Sequence, residues 1–163
     1  MRSRSLLVNN GGRWDYEGHS VRIVTNLRAA DNSAYADLYS VNLYPYNLDQ
    51  NGPFPDMEQF PYVALQKGNW YAIDLYMKQN TMSGARDANG NYATANADGV
   101  YKVWINGHPA FSKTNFRWRK HPEIGVEGLW LDVYHGGVQP APYDMHYRLD
   151  RVTVATSYVG PQK

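Results

Sequence analysis

Apolar residues in this chain recur with a period of two, in short runs divided by clusters of Gly, Pro, Asn and Asp. The 3.6-residue recurrence of an amphipathic helix is almost absent. A period-two run sends alternate side chains to opposite faces of an extended backbone, so each run predicts a strand with one face for a core. Leu6 to Val8 reads as a short first strand, closed by Asn9-Asn10-Gly11-Gly12. His19 to Arg28 follows, with Val21, Ile23 and Leu27 on one face and Ser20, Arg22, Asn26 and Arg28 on the other. Ala30 to Ser33 is a turn, and Tyr35 to Tyr44 is the returning strand. Residues 45–68 contain Pro45, Pro53, Pro55 and Pro61 and read as a long loop with one edge strand, because proline cannot donate to a ladder.

Further along, Trp70 to Gln79 alternates again, and Asn80 to Asp98 reads as a polar loop. Val100 to Ile105 ends in Asn106-Gly107, the dipeptide of a two-residue hairpin turn, and Phe111 to Arg119 is the return. Val126 to His135 places Leu129, Leu131 and Val133 against Trp130, Asp132 and Tyr134, and Met145 to Tyr158 holds the last strand or two. Roughly seven to nine strands without a helix or a linker predict one all-β domain over residues 1–163, a two-sheet sandwich or a barrel.

The bulk numbers narrow the function. At 163 residues, 43% hydrophobic and 19% charged, the chain can bury one core. A net charge of +1 gives no overall attraction to nucleic acid or to an anionic membrane. The basic, aromatic stretch Asn115 to Lys120 is short and reads as a solvated strand face. There is no cysteine, so disulfides and thiolate metal sites are excluded. No apolar run reaches membrane-spanning length. Leu6 to Val8 is too short for a leader core, which predicts either a cytoplasmic protein or an extracellular one whose leader has been removed. Fourteen Tyr and five Trp stand against four Phe. Such side chains suit a surface that stacks on sugar rings and bonds their hydroxyls, and they also suit β-sheets in general.

Three clusters carry chemistry. Ser20, Arg22, Asn26 and Arg28 give one strand a polar face with two guanidinium groups, fit for a carboxylate or simply for solvent. Tyr35 and Tyr39, with Asp37, share that face or the opposite one according to hairpin register. Trp130, Asp132, Tyr134 and His135 lie before Gly136-Gly137, with His135 a candidate base. Asp87, Asn89, Asn91 and Asp98 loosely match an oxygen-rich calcium loop, but Tyr92 stands where glycine is expected and Asp98 where glutamate is. A hydrolase on this scaffold would need two opposed carboxylates; Asp37, Asp74, Glu127 and Asp132 are the available acids, in no close acidic motif.

Three phrases together resemble a known family. They are Gly68-Asn69-Trp70-Tyr71-Ala72-Ile73 running to Met77-Lys78-Gln79-Asn80-Thr81; Asp98-Gly99-Val100-Tyr101-Lys102-Val103-Trp104-Ile105-Asn106-Gly107; and Tyr134-His135-Gly136-Gly137 with Leu149 to Thr156. In order and spacing, over residues 19–160, they are similar to the jelly-roll polysaccharide lyases of families fourteen and twenty. The resemblance implies a concanavalin A-like jelly roll of two antiparallel sheets, secretion, and β-elimination on an acidic polysaccharide without a cofactor; a structural calcium is the one exception left open. Ser20-Val21-Arg22 matches the family's Ser-x-Arg pair, and Tyr35 and Tyr39 are the tyrosines nearest to its Tyr-x-Tyr. On that basis Arg22 neutralises the uronate, Ser20 and Asn26 support it, Tyr39 or Tyr35 moves the proton, and His135 is the alternative base. Arg28, Trp130 and Tyr134 would line the groove. The family's upstream Gly-Gly-Lys segment has no counterpart here, only Arg2 and Arg4. That departure keeps a non-catalytic carbohydrate-binding module on the same fold as the alternative. The polymer, the mode of cleavage and the oligomeric state have no signature in the sequence.

Overall fold

A computed structural model describes residues 18–27, 38–131, 140, 144 and 146–160. Among the described residues there are strands and no helix. They are β1 (Ser20–Leu27), β2 (Leu38–Tyr46), β3 (Glu58–Gln66), β4 (Ile73–Lys78), β5 (Met82–Arg86), β6 (Tyr92–Ala95), β7 (Gly99–Ile105) and β8 (His108–Phe116). They form three antiparallel sheets, in the orders β1-β2-β3, β4-β7-β8 and β5-β6.

The first two sheets share one core, a sandwich-like arrangement. Val41, Leu43 and Phe60 from the first sheet are buried with Tyr101, Val103, Ile105 and Phe116 from the second, and Val21, Ile23, Ile73 and Met77 pack around them. Alternation explains which residues go in. Along β7, Gly99, Tyr101, Val103 and Ile105 are buried while Val100, Lys102 and Trp104 are half-buried on the other face. On β1, Val21 and Ile23 reach the core and Arg22 turns away, as the pattern predicts. The sheets meet along β3 and β8, where Phe60 stacks on Phe111 at 5.0 Å and Lys113 pairs with Glu58.

The Asn106-Gly107 turn is as expected. Both residues have positive φ, 52° and 78°, and Ile105 sits directly opposite His108. β3 is the expected edge strand, and its pairing with β2 skips between Ser40 and Asn42. That irregularity leaves room for Pro61, which has no N–H to offer.

Two expectations are corrected. The polar loop Asn80 to Asp98 contains a hairpin, β5-β6, closed by residues 87–91. The strands expected over Val126 to His135 and Met145 to Tyr158 are not formed in their described parts: residues 126–131 and 146–160 carry no ladder. Their apolar side chains, Leu129, Leu131, Val152 and Val154 among them, stand exposed. The expected first strand at Leu6 to Val8 lies outside the described residues.

Asn80 joins these elements. Its side chain is 1% exposed. Its Oδ1 accepts from the backbone N–H of Trp118 at 2.7 Å and of Arg119 at 2.9 Å, and its Nδ2 donates to the carbonyls of Thr81 and Arg119. Beside it, Asp98 accepts from the Thr81 N–H and hydroxyl at 2.8 and 2.7 Å. Gly99 lies so close to the next segment that a Cβ would stand 2.5 Å from the Phe116 carbonyl and 2.7 Å from the Trp118 ring. Much of the stretch that carries the family resemblance therefore serves packing.

Candidate functional site

The site follows from the register of β1 on β2. Ser20 lies opposite Tyr46, Arg22 opposite Tyr44, Val24 opposite Asn42 and Asn26 opposite Ser40. Directly opposed residues share a face, so this face of the first sheet gathers Ser20, Arg22, Asn42, Tyr44 and Tyr46, away from the core side of Val41 and Leu43. The Arg22 guanidinium sits over the Tyr46 ring, 5.2 Å from its centroid. Tyr44 and Tyr46 meet edge to face at 5.4 Å. Arg22 and Tyr44 are half-buried, whereas Ser20, Asn42 and Tyr46 are buried. Asn42 Nδ2 and Ser40 Oγ are 3.5 Å apart. The Ser20 hydroxyl is enclosed and has no hydrogen-bond partner among the described residues.

Tyr39 does not belong to this face. It lies opposite Leu27, in phase with Val41 and Leu43 and out of phase with Arg22. The expected placement of Tyr39 beside Arg22 is corrected: a strand's parity puts the two on opposite sides of the sheet. Tyr44 and Tyr46 stand on the Arg22 side. The signal for them was the segment Tyr44-Pro45-Tyr46, which has the Tyr-x-Tyr spacing itself. Placing Asn26 opposite Ser40 keeps its backbone in phase with Arg22. Trp130 is 63% exposed, in a segment without strand pairing among the described residues. Arg28, Tyr35, Tyr134 and His135 lie outside the described residues, as do Asp37 and Asp132.

The Asp87 carboxylate is engaged within its own turn and that of Asp98 by Thr81. Asp87 accepts from the N–H groups of Asn89 and Asn91 at 2.8 and 2.9 Å and from the Asn91 side chain. These bonds hold its carboxyl below the usual range, and the Thr81 bonds do the same for Asp98. Among the described residues no group of three or more His, Cys, Asp or Glu side chains converges as metal ligands would.

His19 stands just before β1 on the core side, with its ring centroid 5.7 Å from that of Trp118. Burial, with the nearby Arg119 cation second, lowers it from 6.5 to about 4, so it is neutral in the folded protein. Burial likewise raises the Tyr101 hydroxyl, and neither group faces the Arg22 side.

No protein-family model, no curated protein and no solved structure matches the chain.

Proposed function

We propose that the chain holds an acidic polysaccharide against the Arg22 face of the first sheet and cleaves it by β-elimination as a jelly-roll polysaccharide lyase. One observation carries the reading: a guanidinium and two phenols share the non-core face of one strand pair, with Arg22 over Tyr46 and opposite Tyr44. Arginine forms paired, charge-assisted bonds to a carboxylate, and neutralising a uronate makes its C5 proton more acidic. Tyr44 is then the group to take or return a proton, in place of Tyr39. The described part of this face bears no carboxylate, which disfavours a two-carboxylate hydrolase there.

Incubation with alginate and with glucuronan tests it, read as ultraviolet absorbance of the unsaturated product and as retention on the immobilised polymer. Product that disappears in Tyr44→Phe supports the lyase. Retention without product assigns a non-catalytic binding module on the same scaffold. Neither signal on any uronate polymer refutes both.

A further inference from the structure

Residues of the β5-β6 hairpin and Lys120 line an open cleft of about 480 Å³. We propose that this cleft binds a sugar acid, with Arg86 taking its carboxylate. Arg86 lies over the ring of its cross-strand neighbour Tyr92, 4.6 Å from the centroid, and donates through Nη2 to the Tyr92 hydroxyl at 2.8 Å. No carboxylate lies within ion-pair distance of Arg86 among the described residues. The one acid in the lining, Asp87, turns its oxygens into its own loop, onto Asn89 and Asn91. The cleft therefore presents a guanidinium that is held in place but not neutralised.

The cleft is also rigid before anything enters it. Asp87 N–H donates to the Asn91 carbonyl at 2.9 Å, and Tyr92 N–H to the Lys120 carbonyl at 2.9 Å. Gly90 is pressed against His121, where a Cβ would stand 2.7 Å from Nε2. Preformed walls lower the entropy cost of capturing a ligand. The volume exceeds what a bare anion needs and suits one or two sugar rings. Polar atoms for hydroxyls are in place: the Tyr92 hydroxyl accepts from Arg86 and so keeps its own proton to donate, and Asn91 Oδ1 is an acceptor. This inference does not depend on what the Arg22 face binds.

Titrating the ¹⁵N-labelled protein with glucuronate, glucose and inorganic phosphate tests it. Glucuronate is expected to shift the amides of 85–93 and 120 saturably, and Arg86→Gln to weaken that binding about tenfold. Arg22→Ala leaves these shifts unchanged. Absence of saturation, equal binding of glucose or of phosphate, an unaffected Arg86→Gln protein with native spectrum, or loss of the shifts in Arg22→Ala each overturns it.

Discussion

Replacing Asn80 by alanine removes four hydrogen bonds from a side chain that solvent does not reach. The cost divides by what each partner can do afterwards. The N–H of Trp118 belongs to a residue that is 0% exposed, so it has no water to turn to, and a stranded buried donor costs about 1–3 kcal/mol. Arg119 is half-buried, which puts its N–H toward the low end of that range. Thr81 and Arg119 lose donors to their carbonyls, about 0.5–1.5 kcal/mol each when a modest net bond is lost. Since water recovers part of these terms, the expected loss is about 3–5 kcal/mol. Asn80→Asp does no better at neutral pH, because it sets a carboxylate against two carbonyl oxygens. Urea denaturation of the three proteins, followed by Trp fluorescence, gives the difference directly. A loss below about 1 kcal/mol with an unchanged m-value would refute the reasoning, since it would mean that the loop bonds are not shielded from water.

His19 is neutral when buried and ionises near its ordinary pKa once unfolded, so its contribution is complete above pH 6.5 and is lost as the pH falls toward about 4. The full difference is about 3 kcal/mol, and His19→Gln flattens that part of the stability-pH curve; an equal slope in both proteins argues against it. Gly99→Ala forces a methyl onto the Phe116 carbonyl and the Trp118 ring and costs about 2–3 kcal/mol, whereas Gly125→Ala, with open space around it, is neutral or slightly stabilising in the same melt. Arg22→Ala weakens binding of a uronate oligomer by about 1.5–3 kcal/mol, and Arg22→Lys recovers only part, measured by calorimetry; unaltered affinity counts against the Arg22 face.

The parts of this fold that were legible in the sequence are those decided locally. Val21 and Ile23 against Arg22, the alternation of β7 and the Asn106-Gly107 turn all depend on residues a few positions apart, and the structure has each of them. What sequence did not settle depended on pairing between distant segments. Whether Tyr39 or Tyr44 shares the face of Arg22 is open until the register of β1 on β2 is known, and one step of register exchanges their faces. The β5 sequence Met82-Ser83-Gly84-Ala85-Arg86 has poor intrinsic strand propensity, and its hairpin is formed by partners, not composition. Ser83 is paired with Thr94, and Asp87 secures the turn. Leu149 to Val159 has the reverse character. Its β-branched and aromatic side chains fit a strand, but a strand also needs a ladder partner, and its described residues have none.

The clasp at Asn106 has a consequence for which substitutions the fold can absorb. Asn106 offers its backbone N–H to the Ala72 carbonyl at 2.8 Å and its side-chain oxygen to the Ala72 N–H at 2.9 Å. Both contacts read the main chain at position 72 and ignore its side chain. Variation should accumulate freely at 72, with proline the one residue barred because it lacks the N–H. At 106 the demand is double, a short side chain with an acceptor oxygen and a positive φ of 52°, and asparagine and aspartate alone meet both. The two positions form a single contact, yet drift would be tolerated on one side of it only.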